Sequence, residues 1–103
     1  MEKDPSIVEL LERLSAELTE GFEIVDYWDA DLCAIGIQIS SSPSCLIYIS
    51  TFNQLPDQYY YECEVAESKE SLERGSYQVA GKGQVENFKA LVQLLKNHLY
   101  SLN

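Results

Sequence analysis

His98 is the single histidine of this chain and Cys33, Cys45 and Cys63 are its only thiols, so nucleophilic or metal chemistry has few groups to draw on. A cysteine–histidine pair needs a third group to orient the base, and no spacing brings one near. A zinc site would take all four side chains from four separate elements, without the short-range ligand pairs of a zinc knuckle. His98 falls in the last turn of a C-terminal helix, where an imidazolium interacts favourably with the carbonyl end, and it reads as structural. The cysteines follow the apolar parity of their strands and read as reduced, buried thiols.

Gly75 to Gly83 spells G-x₅-G-K-G, one residue too long for a phosphate loop, with Gly83 where a magnesium-binding hydroxyl belongs. Asp26-Tyr27-Trp28-Asp29-Ala30-Asp31 offers three carboxylates but lacks the glycine and distal glutamate of an EF-hand. Glu62 and Glu64 stand two apart on one strand face, where nothing is expected to desolvate either and raise its pKa for acid–base work. The chain reads as a non-enzyme without cofactor or metal.

These groups must be positioned by a simple series of elements. Asp4-Pro5 makes an N-cap and first-turn proline, and Ile7, Leu11, Leu14 and Leu18 recur at helical spacing until Gly21, predicting a helix over residues 5–20. Strands are predicted over 22–28, 32–39, 45–52 and 59–66, split by Asp29-Ala30-Asp31, Ser40-Ser41-Ser42-Pro43-Ser44 and Asn53 to Gln58. Ser68 to Arg74 has room for one helical turn, and Tyr77 to Ala80 reads as a short edge strand. Gly81-Lys82-Gly83 then reads as a turn with Gly83 as N-cap of the last helix, whose stripe is Val85, Phe88, Val92, Leu95, Leu99 and Leu102. Fewer than three heptads are present, which favours packing on the sheet over a coiled coil. The fold class is α+β: one domain over residues 1–103, an antiparallel four- to five-stranded meander with the N- and C-terminal helices on one face.

Strand parity sends Tyr59, Tyr61, Cys63 and Val65 inward. It leaves Tyr48, Ser50, Tyr60, Glu62 and Glu64 on an open face, joined by Glu23, Val25 and Tyr27. Carboxylates on a strand oppose both propensity and like-charge repulsion, so this placement asks for a purpose. The formal charge is −10, from 17 acidic and 7 basic residues, over an ordinary hydrophobic fraction of 46%. Such a field repels nucleic acid and anionic membrane and attracts basic proteins. Without a basic start leading into an apolar run, or a span long enough for a membrane, the expected location is cytoplasmic. Two acidic-aromatic patches are the candidate partner-binding residues: Asp26, Tyr27, Trp28, Asp29 and Asp31 in one, Tyr48, Tyr60, Glu62 and Glu64 in the other.

In size, charge and element order, and in the segments Tyr27-Trp28-Asp29-Ala30-Asp31-Leu32 and Tyr59-Tyr60-Tyr61-Glu62-Cys63-Glu64, the chain resembles immunity proteins of bacterial polymorphic and contact-dependent toxin systems. That resemblance implies a cytosolic antidote that binds a basic, nuclease-like toxin domain and blocks its cationic groove with carboxylates where phosphates would sit; a monomer is expected over a dimer. It carries over no residue of its own. The outline is also similar to type III secretion chaperones, small acidic dimers that hold effector segments, although these have a substantial middle helix.

Overall fold

Asp4 sets where the first helix begins: its Oδ2 accepts from the Ser6 N–H at 3.0 Å, and Pro5 fills the first turn, where its missing N–H leaves no bond unmade. The computed structural model describes residues 3–19, 21–25, 31–39 and 44–100. The helix, α1, covers Pro5–Glu17 and turns Ile7, Leu10, Leu11 and Leu14 inward. It stops short of residue 20 because Leu18 leaves the helical backbone (φ −95°, ψ 76°) while keeping its side chain in the core, and Gly21 then reverses the chain at φ +87°.

Five strands follow in chain order across one antiparallel sheet: β1 (Glu23–Val25), β2 (Ala34–Gln38), β3 (Cys45–Ser50), β4 (Tyr59–Val65) and β5 (Gln78–Val85). The order β1-β2-β3-β4-β5 is the expected meander. Ile35 and Ile37 stand opposite Ile49 and Ile47, and Ile47 stands opposite Cys63, so one face of the central strands is continuously apolar. Between β4 and β5, α2 (Lys69–Glu73) makes a short helix capped by the Ser68 hydroxyl, which accepts from the Ser71 N–H at 3.0 Å. The last helix, α3 (Phe88–Leu95), starts at Asn87, whose side chain accepts from the Ala90 N–H at 2.8 Å, and it runs into a wider π-type turn over Lys96–Tyr100.

Both terminal helices cover the same face. Ile7, Leu10, Leu14 and Leu18 join Leu91, Leu95 and Leu99 in one cluster with the inward residues of β2, β3 and β4. Each fully buried aliphatic side chain there contributes on the order of 1.5–3 kcal/mol relative to exposure.

Two expectations need correction. Gly81-Lys82-Gly83 is no turn: β5 runs straight through it, and the helix cap is Asn87 rather than Gly83. Gly83 stands opposite Tyr61, and a Cβ placed on it would sit 3.1 Å from the Tyr61 oxygen, so glycine makes room for an inward ring. A register shift at Cys63/Glu64, where Ala80 is left unpaired between Val79 and Gly81, adds a bulge that bends this edge strand. The other correction concerns Cys33. It lies in the turn before β2 and is only partly buried, with its N–H donating to Asp31 Oδ1 at 3.1 Å, whereas Cys45 and Cys63 are buried free thiols as the parity requires.

Candidate functional site: an acidic-aromatic sheet face

The sheet face turned away from the helices carries three cross-strand rows. Tyr60 lies opposite Ser50 and Gln84; Tyr48 lies between Gly36 and Glu62, with Lys82 beyond; Glu64 lies between Leu46 and Val79. The two tyrosine rings meet edge to face at 6.3 Å and 76°. Tyr60 Oη donates to Glu62 Oε2 at 2.6 Å, and no other hydrogen bond within the described residues reaches that carboxylate. This charge-assisted bond holds the proton on the phenol and pushes the Tyr60 pKa up to about 12.

Asp31 joins the set from the turn before β2. Burial first, then the carboxylates of Asp31 and Glu62, push the Tyr48 phenol above its ordinary value, while the Ser50 hydroxyl beside it acts the other way. Tyr48 is therefore flanked by both acids. The Asp31 backbone carbonyl accepts from Lys3 Nζ at 2.8 Å, which brings one cation to this end of the patch.

Several side chains behave differently from the expectation of an open, wet face. Ser50 is buried at 6% exposure, with its Oγ accepting from the Phe52 N–H at 3.2 Å. Leu46 is buried at 1% and stands outside the main apolar cluster. Tyr48, Tyr60, Glu62 and Glu64 are half-buried, the first three joined by the ring contact and the phenol–carboxylate bond. Glu64 is desolvated after all. Burial between Leu46 and Val79, and then the charge of Glu62, push its carboxyl above the usual range.

Lys82 is the residue that sequence reasoning placed wrongly with most consequence, since β5 sets it directly opposite Glu62. The alternating pattern Gln78-Val79-Ala80 was legible as strand, but two glycines hid its continuation. Asp26, Tyr27, Trp28 and Asp29 lie outside the described residues, so of that patch only Asp31 has a place beside Tyr48.

His98 sits behind this face, at the end of the core. Its Nε2 is buried without a hydrogen-bond partner. Burial pushes its pKa below the ordinary value, and the backbone carbonyls of Glu64 and Leu46 only partly offset that, which favours the neutral ring. Among the described residues no three histidine, cysteine or carboxylate side chains gather as metal ligands, and no helix is long and apolar enough to cross a membrane.

The arrangement thus gathers two aromatic rings, two carboxylates about them, and a third half-desolvated nearby. Compared with protein-family models, curated proteins and solved structures, the chain matches none.

Proposed function

We propose that this chain is an acidic protein-binding module of the toxin-immunity kind, which captures a basic protein domain on the sheet face bearing Asp31, Tyr48, Tyr60 and Glu62. The observation that carries the reading is the Tyr60–Glu62 bond beside the Tyr48 ring. It fixes a carboxylate against an aromatic surface, a geometry that suits an arginine or lysine stacking on the ring while its charge meets the acid. Because these side chains are already ordered, little conformational entropy remains to be lost on binding. The net charge of −10 supplies long-range attraction to a cationic groove, such as that of a nuclease-like toxin.

The test is co-expression with the product of the adjacent gene, followed by size-exclusion chromatography and binding kinetics. A one-to-one complex is expected, with an association rate that falls as salt rises. The isosteric double change Asp31→Asn, Glu62→Gln should weaken it by more than ten-fold, about 1.4 kcal/mol or more, while circular dichroism shows the fold retained. A free dimer that binds only an unfolded segment would instead indicate a chaperone. Affinity unchanged by the double substitution would remove this face from the interaction.

A further inference from the structure

The turn between β3 and β4, residues 51–58, is fastened far more firmly than an exposed connection requires. Asn53 and Asp57 both adopt left-handed backbone, at φ 57° and 67°. Asp57 is tied to Arg13 at 2.7 Å, Thr51 to the Ser6 hydroxyl at 2.7 Å, Gln54 to Gln84 at 2.7 Å, and Gln58 to Glu86 at 2.6 Å. On this fixed frame two large apolar side chains are turned outward, Phe52 at 65% exposure and Leu55 at 67%. The polar groups of the turn are spent on holding it in place, and its apolar groups are left on display.

Between this turn and α1 lies a hollow of about 370 Å³. Pro5, Leu55, Pro56 and Tyr59 give it apolar walls, and its charged lining residues, Glu9 and Asp57, are both carboxylates. Arg13 closes on Asp57 but approaches Glu9 only to 4.0 Å, and the Glu9 side chain keeps 70% of its surface exposed. These three groups leave one net negative charge at the mouth. Ser6, Thr51, Gln54 and Gln58 complete the lining, so the hollow is mixed in character, and apolar walls beside one net negative charge match a side chain with an alkyl stem and a cationic head.

We infer that this hollow is a second contact site, which receives a lysine or arginine side chain of the partner while a neighbouring apolar side chain of the same segment seats on Leu55 and Phe52. The inference rests on the reading above that the partner is a basic protein, and the chain's charge of −10 gives the complementarity. It adds an aliphatic anchor to the aromatic and acidic contacts of the sheet face.

The probe is a short peptide, acetyl-Ala-Leu-Arg-Leu-Ala-amide, titrated into the ¹⁵N-labelled protein while amide shifts are followed; controls carry glutamate or norleucine in place of the arginine. Saturable shifts at Glu9, Thr51, Leu55 and Gln58, with a millimolar Kd, are expected for the arginine peptide. Affinity should fall at least five-fold with either control, and likewise in Glu9→Gln and in Leu55→Ser, both exposed positions whose variants retain the fold. Equal shifts from all three peptides, or none at the turn, overturn the inference. Shifts confined to Tyr60, Glu62 and their neighbours would overturn it while leaving the proposed function in place, and silence at both surfaces would count against both.

Discussion

Arg13 on α1 places its Nη1 2.7 Å from Asp57 Oδ1 in the β3–β4 turn, and its guanidinium carbon 4.0 Å from the centroid of the Phe88 ring on α3. One side chain thus joins three elements that lie far apart in sequence. Exposed ion pairs contribute about 0.2–1 kcal/mol and a cation–π contact about 0.5–1 kcal/mol, so Arg13→Ala should destabilise by roughly 1–1.5 kcal/mol. Asp57 sits at φ 67°, where a Cβ without a polar group is unfavourable. Asp57→Ala should therefore cost about 1 kcal/mol more than Asp57→Gly, read from urea unfolding midpoints at constant slope.

The Tyr60 phenol should titrate near pH 12, with Glu62 as the main cause. Its folded pKa is raised above the unfolded value near 10, so the stabilising contribution is complete below pH 10 and is lost as pH rises from 10 through 12. Absorbance of tyrosinate during alkaline titration would show this. In Glu62→Gln the late-titrating phenol should return toward 10, and a profile unchanged by that substitution would show that Glu62 does not hold the proton.

The parts of this fold written in short-range pattern were legible from the residues alone. Asp4-Pro5 marks the start of α1, and the parity of Cys45, Ile47 and Ile49 correctly faces the core. The failures came where a partner strand decides what a residue does. Gly81 and Gly83 look like chain breakers until Tyr61 is set against Gly83, and Lys82 gains its meaning only from standing opposite Glu62. Ser50 reads as a wet strand residue but is covered, and Glu64 reads as solvated but lies between Leu46 and Val79. Of the candidate site, the alternation of Tyr60, Glu62 and Glu64 was visible in sequence, whereas the hollow beside Glu9 joins residues some forty positions apart and has no local signature.

The two glycines of β5 make opposite predictions. A Cβ on Gly81 meets nothing within 4 Å, while one on Gly83 approaches Tyr61 Oη to 3.1 Å. Gly81→Val should leave stability unchanged or raise it by up to about 1 kcal/mol through strand propensity. Gly83→Val should lower it by about 1–2 kcal/mol by displacing the Tyr61 ring. Thermal unfolding of the pair separates the two outcomes.

His98 predicts a pH dependence with a defined sign. Its folded pKa is depressed below 6.5, so the unfolded chain takes up a proton that the folded chain refuses. Stability is then full above pH 6.5 and declines as pH falls from 6.5 through the lower folded value. Glu64, with its raised pKa, works in the opposite direction. His98→Met should flatten the decline below pH 6.5. Denaturant titrations at pH 5 and pH 8 test this.

The first and last helices share one apolar cluster over the sheet, and this sets the order in which the fold can be completed. The five strands can pair in chain order, each with its predecessor, yet their inward isoleucines gain full cover only when Leu91, Leu95 and Leu99 dock beside Ile7, Leu10 and Leu14. Local pairing can therefore run ahead of core closure, and the sheet is sealed by side chains drawn from two helices separated by the whole meander.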